Sequence, residues 1–229
     1  YASSTAYLTG MAAVKASKSM IRLITEKGAE YLEKTPEEVE FDGERVMAKD
    51  GSAAISLKDI GNRAMANNGK ALEVTESHSS PVSPPPFMVG IAEIEMDKET
   101  CDFELVNYVA VVDCGTPINP ALVRVQTEGG LGQGIGMAMF EDVTRSEKGQ
   151  VYENSFMQYK LPSRVDVGNI RVEFESSYEP TGPFGVKSIG EVVINTPSPA
   201  IAGAVANATG VQIRELPVTP EKIFRELHK

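Results

Sequence analysis

The sequence predicts an α+β fold in which helices and β-hairpins are mixed. Three observations point to it. Apolar residues recur at helical spacing in some segments and alternate in others, the alternating segments come in pairs joined by turn residues, and no strict βαβα rhythm runs along the chain. With 41% apolar residues among 229, the chain has material for one large domain or two small ones, and its 20 glycines and 14 prolines promise many turns.

Small polar residues open the chain at Ala2-Ser3-Ser4-Thr5. Val14, Ile21, Leu23, Ile24, Tyr31 and Leu32 then fall at helical spacings and predict a helix of about 20 residues that stops near Thr35-Pro36. Phe41 to Ala54 alternates around the turn pairs Asp42-Gly43 and Asp50-Gly51, as short strands of a small hairpin do. Ser56-Leu57-Lys58-Asp59 has capping-box spacing, with Asp in place of Glu, and introduces a second helix through Met65. The proline run from Pro81 to Pro86 excludes helix and central strand, so an extended loop is expected from His78. Phe87 to Met96 and Phe103 to Asp113 read as two strands of a hairpin turned by Asp97-Lys98-Glu99-Thr100. Asn119 as N-cap and Pro120 at the first helical position open a helix from Ala121 to about Phe140. A strand from Ile170 to Ser176, a glycine-rich passage from Thr181 to Gly190, a helix around Ala200 to Ala208, a short β segment at Val211 to Leu216 and a terminal helix from Thr219-Pro220 complete the reading. Residues 1–85 form a helical part with small strands, and 86–229 a part with the hairpin and both glycine-rich passages.

Charge and composition exclude several functions. With 22 Lys and Arg against 32 Asp and Glu, and no basic cluster, the chain lacks the footprint of a nucleic-acid binder. No apolar stretch approaches the roughly 18 to 20 residues of a membrane helix, and no signal sequence opens the chain, so a cytoplasmic protein is expected. His78 and His228, the only two histidines, read as surface residues, which argues against Ser-His-Asp or Cys-His catalysis. No CxxC, HExxH or paired-His pattern offers direct metal ligands.

The helix after Asn119 holds Gly129, Gly130, Gly132, Gly134 and Gly136, each costing about 1 kcal/mol against Ala in a helix interior. Something must approach that backbone closely, either a ligand or a packed neighbour. No register satisfies G-x-G-x-x-G, and Val186 between Gly185 and Lys187 breaks the phosphate-loop spacing. Glu191 follows Gly190 among small and apolar residues, where burial raises a carboxyl pKa and suits it to general-base work; the alternative is a glutamate favourably placed at a helix start.

Three ordered motifs carry a resemblance. Asp113-Cys114-Gly115-Thr116-Pro117-Ile118-Asn119-Pro120, then Gln126-x-x-Gly129-Gly130-x-x-Gln133-Gly134-Ile135-Gly136, then Pro183-Phe184-Gly185-Val186-Lys187-Ser188-Ile189-Gly190-Glu191 are similar to the final portion of the molybdenum-binding subunit of the xanthine dehydrogenase family. The opening through Gly10 resembles that family's cofactor-contacting loop. The resemblance implies the C-terminal half of a molybdopterin-binding domain, with the metal held by a pterin, as plain molybdopterin or its cytosine dinucleotide, and not by side chains. It implies that Ala2, Ser3, Ser4 and Thr5 line the molybdenum and pterin site, with the metal near Ala2, that Gln133 hydrogen-bonds the pterin, that the Cys114 to Asn119 turn offers N–H groups to its phosphates, that Gly190 contacts the cofactor and that Glu191 is the catalytic glutamate. The implied reaction is water-derived hydroxylation of an N-heterocycle such as xanthine, another purine or nicotinate, with Glu191 taking up a proton. Electrons would leave through iron–sulfur clusters and FAD on partner subunits. Many members follow the glutamate with Pro-Pro, where this chain has Val192-Val193. The family's molybdenum domain is far longer, which implies either that this chain is a fragment of such a domain or that a second molybdenum-subunit chain completes it into an interlocked unit, as in split nicotinate dehydrogenases. A reading of a different class is a non-catalytic interaction or structural subunit of a multi-subunit complex; a weaker one is a small-ligand module whose glycines serve packing alone.

Overall fold

The computed structural model describes residues 3–229, which fall into two compact units. One spans 8–81; the other comprises 82–229 together with the segment that ends at Tyr7.

In the first unit, helix α1 (Thr5–Tyr31) is followed by three short antiparallel strands, β1 (Val39–Phe41), β2 (Arg45–Ala48) and β3 (Ala54–Ser56), and by helix α2 (Leu57–Asn68). The expected hairpin is thus a three-stranded meander. Helix and sheet close over Ile24, Ala29, Val39, Val46, Ile55 and Ile60. They approach so nearly that a Cβ on Gly28 would lie 2.6 Å from Val46. The predicted cap is present: Ser56 Oγ accepts the Asp59 N–H at 3.1 Å and donates to its carboxylate at 2.7 Å. His78 departs from the surface reading. The stretch after α2 lies along α1, where Lys15 Nζ donates to Ser77 O at 3.3 Å and Ser19 Oγ to Glu76 at 2.6 Å, and both ring nitrogens of half-buried His78 are shielded there without a hydrogen-bond partner.

In the second unit, β4 (Phe87–Met96) and β5 (Phe103–Asp113) form the expected antiparallel hairpin. Helix α3 (Pro120–Met139) and a long irregular segment then lead to β6 (Asn169–Phe174), which adds beside β5 in parallel. Sequence patterning alone did not reveal this crossover. Opposite Glu93 and Ile94 the ladder steps from Asn107 to Leu105, so Val106 is an extra residue that switches the inward phase from Phe103 and Leu105 to Tyr108, Ala110 and Val112. Those side chains pack with Leu131 and Ile135 of α3, Ile201 and Val205 of α4 (Pro197–Thr209) and Ile223 of α5 (Pro220–Leu227). The opposite face of β4 exposes Phe87, Val89 and Ile91 in a row. No strand forms at 211–216, contrary to expectation: the alternation lasts only to Ile213, whose packing on the core accounts for the apolar signal, and Pro217 brings no donor. Among the described residues, no helix is long and apolar enough to cross a membrane.

Candidate functional site

Strand β5 ends at Asp113, and the chain turns through Cys114 to Asn119 into α3. Asn119 Oδ1 accepts the Leu122 N–H at 3.1 Å, which caps the helix, while Pro120 needs no donor there. This turn is riveted to the loop that precedes Glu191. Thr116 N–H donates to Gly185 O and Lys187 N–H to Cys114 O, both at 2.8 Å. Gly115 has φ +71° and sits so close that a Cβ would meet Gly185 O at 2.3 Å, so only glycine fits.

At the rivet's centre Lys187 Nζ lies 2.7 Å from Asp113 Oδ2, with the two side chains 10% and 20% exposed. Asp113 Oδ1 accepts from Ser177 Oγ at 2.6 Å and from Gly115 N–H at 2.9 Å. Burial alone would raise the Asp113 pKa, but Lys187, Ser177 and the Gly115 N–H together hold it below the ordinary carboxylate value. Burial and the adjacent Asp113 charge push the Cys114 thiol up, so it stays protonated and inert. Because Asp113 is depressed in the folded state, its stabilisation is complete above the unfolded carboxyl pKa of about 3.9 and is lost as pH falls through the lower folded value. We expect the difference in unfolding temperature between the parent and Asp113→Asn to be constant above about pH 5 and to shrink below about pH 4; a difference independent of pH would contradict the pairing.

The loop from Thr181 runs along α3. Gln126 Nε2 donates to Gly190 O at 3.4 Å, Gly130 faces Val193, and Gly134 faces Ile194 O and Pro197. Gly190 also meets the start of the chain, since a Cβ there would lie 2.5 Å from Ser3 Cβ, and Ser3 holds a positive φ of 47°. Tyr7 OH fastens the same segment by donating to Thr181 Oγ1 at 2.7 Å. Glu191, next to Gly190, is exposed, contrary to the burial expected from its neighbours. The apolar residues around it turn inward, Val193 fully, and Glu191 stands at the head of a single 3-10 turn, Val192–Ile194, with its side chain capping nothing.

Ser3 and Gly190 are therefore brought together, Glu191 adjoins them, and Ser4 and Thr5 follow in the first turns of chain. Ala2 lies outside the described residues. Gln133 is exposed two turns beyond Gln126, about 10 Å along the helix axis. Cys114 is buried, Asn119 spends its side chain on the helix cap, and of the turn N–H groups expected for phosphates those of Gly115 and Thr116 are used internally, by Asp113 and by Gly185 O. Gln126, Asp113 and Lys187 had no role assigned from sequence, although all three stand inside recognised motifs. Ser177 carried no signal at all. The α3 glycines divide: a Cβ on Gly130 or Gly134 would collide with Val193 or Pro197, whereas one on Gly129 or Gly132 would meet open space.

The family profile of the molybdopterin cofactor-binding domain matches residues 1–168. The chain belongs to this family. Similarity continues through the Glu191 segment. A probable hypoxanthine oxidase of Escherichia coli K12 is 32% identical over the whole chain, which covers 24% of that relative, and the gamma subunit of the 6-hydroxypseudooxynicotine dehydrogenase complex of Paenarthrobacter nicotinovorans is 33% identical over 98% of the chain and 29% of its own length. The crystal structure of quinoline 2-oxidoreductase from Pseudomonas putida 86 superposes with a TM-score of 0.77 at 25% identity, covering all of this chain and 30% of the other. The chain thus spans about a quarter of the length of the curated relatives it matches. For a molybdopterin-binding family member the residues fit the group: the Gly129 and Gly132 side of α3 is bare backbone, and Ser3, Gln126 and Gln133 are neutral hydrogen-bonding side chains suited to a flat, polar pterin. Among the described residues, no set of three His, Cys, Asp or Glu side chains is placed to hold a metal ion.

Proposed function

We propose that this chain supplies one side of the molybdenum–pterin site of a hydroxylase acting on an N-heterocycle such as xanthine, another purine or nicotinate, with Glu191 as general base. The observation that carries this reading is the position of Glu191, exposed beside Gly190 where the Ser3 segment and Gln126 of α3 meet. When bound, the molybdenum–pterin group supplies two-electron redox chemistry that lets water-derived oxygen replace hydrogen on an electron-poor carbon. Glu191 receives the proton that this substitution releases from water. Ala2, Ser3, Ser4 and Thr5 line the molybdenum and pterin site, Gln133 hydrogen-bonds the pterin, and Gly190, whose missing side chain admits Ser3, sets Glu191 beside that segment. The Cys114 to Asn119 turn would offer its remaining N–H groups to the pterin's phosphate, as plain molybdopterin or as its cytosine dinucleotide.

The substrate class is supported by the names of relatives: hypoxanthine oxidase, quinoline 2-oxidoreductase and the nicotine 6-hydroxylase large subunit, which is 28% identical over 96% of the chain. The exposed Phe87, Val89 and Ile91 row is of the kind that an interface covers, which supports work within an assembly; the partners proposed from the family are a second molybdenum-subunit chain, an iron–sulfur subunit and an FAD subunit. Metal analysis of the assembly isolated through this chain tests the proposal. We expect molybdenum near one per copy of the chain, accompanied by iron. Absence of both from an intact multi-subunit preparation would give the lead to a non-catalytic interaction subunit.

A further inference from the structure

We propose that the Asp113–Lys187 ion pair, braced by Ser177, is the positioning element that sets the Glu191 loop in register with the start of α3. This rests on the reading of Glu191 as a base. The loop has little regular structure of its own to hold it: Phe184 and Gly185 take φ values of +56° and +84°, and its helical elements are single 3-10 turns. Its path is therefore fixed by tertiary contacts, and the polar ones made by Lys187 and Gly185 go to the end of β5 and the turn after it. Both oxygens of Asp113 are used, one by Lys187 and the other by Ser177 and the Gly115 N–H, so the carboxylate joins the strand end, the turn after it and two separate stretches of the later chain. Lys187 is doubly held, through Nζ to Asp113 and through its N–H to Cys114 O, and its ammonium also lies 5.4 Å from the ring centroid of Phe87 on β4.

Stability alone is a poor reason for such a pair. Desolvating two charges offsets most of their attraction, and a well-packed apolar pair of similar volume commonly stabilises as much or more. What apolar residues cannot give is directional register. Only three residues separate Lys187 from Glu191, and the last of them, Gly190, is the one packed against Ser3 and Gln126. An error in register at Lys187 is passed directly to the carboxylate, and misplacing a reacting group by about 1 Å can cost on the order of 100-fold in rate.

The test uses the whole assembly isolated through this chain, in Lys187→Met, Lys187→Arg, and the double variant Lys187→Met with Asp113→Leu, which removes both charges. The double variant is expected to assemble with the parent's metal content and a modestly lower unfolding temperature, because Ser177 Oγ and the Gly115 N–H lose their acceptor. Its amides at 185–191 should exchange about 10-fold faster or more while those of α3 and β5 are unchanged. Its kcat should fall roughly 10- to 100-fold with KM little altered, and Lys187→Arg should recover part of that loss. Unchanged exchange at 185–191 in the double variant overturns the proposal, and so does faster exchange accompanied by the parent's kcat. Should the double variant fail to assemble, Ser177→Ala keeps the ion pair, removes one brace, and is read the same way with smaller expected changes. Failure of the base reading is separate: it shows as undiminished turnover in Glu191→Gln, whatever the exchange data give.

Discussion

Glu191→Gln in the assembled protein is expected to lower kcat by about 10²- to 10⁴-fold, the usual worth of a general base, while molybdenum content stays at the parent's level. The substitution keeps shape and hydrogen-bonding reach and removes only the capacity to take a proton. Because Glu191 is exposed and its side chain caps nothing, the fold has little to lose, and the unfolding temperature should move within the range of an ordinary surface change, about 0.5 kcal/mol. That combination separates a catalytic carboxylate from a helix-start one. A structural glutamate would leave turnover intact, and undiminished turnover with full metal content would remove Glu191 from the mechanism.

Much of the fold was legible because its signals are local. Alternation in Phe87–Met96 and Phe103–Asp113 gave both strands, and Asn119-Pro120 marked the start of α3. The parallel partner of β5 was not legible, since β6 lies beyond the whole of α3 and an irregular stretch, and its register depends on contacts that no neighbouring residue announces. The segment 211–216 shows the converse error: an apolar alternation of a few residues satisfied by packing of Ile213 on the core instead of by a strand. At the site, Ser3, Gly190 and Glu191 were picked out by motif and the structure brings them together, yet the exposure of Glu191 could not be read from apolar neighbours, because in a tight turn successive side chains point different ways. Asp113 and Lys187 stood in plain sight within two motifs, but 74 residues of separation conceal an ion pair.

The glycines of α3 were read from sequence as places where something comes close to the backbone, and the structure divides them by what that something is. Gly134 is packed against Ile194 O and the ring of Pro197, which lie 2.9 and 2.6 Å from where a Cβ would stand, and neither a backbone carbonyl nor a proline ring yields cheaply. Gly134→Ala should therefore destabilise despite Ala's better helix propensity, the overpacking cost of about 1–3 kcal/mol exceeding a gain of about 1 kcal/mol. Gly130→Ala should behave alike, because its Cβ would fall 2.1 Å from a methyl of fully buried, stiff-rotamer Val193. At Gly129 and Gly132 a methyl meets nothing, so the same change should stabilise by up to about 1 kcal/mol. Unfolding temperatures of the four variants check the division, and destabilisation at 129 or 132 would contradict it. The second pair carries the functional consequence. If these two bare positions exist to let a pterin lie against the helix, Gly132→Ala raises the unfolding temperature of cofactor-free protein while lowering the molybdenum content of the isolated assembly, a trade that packing alone gives no reason to expect.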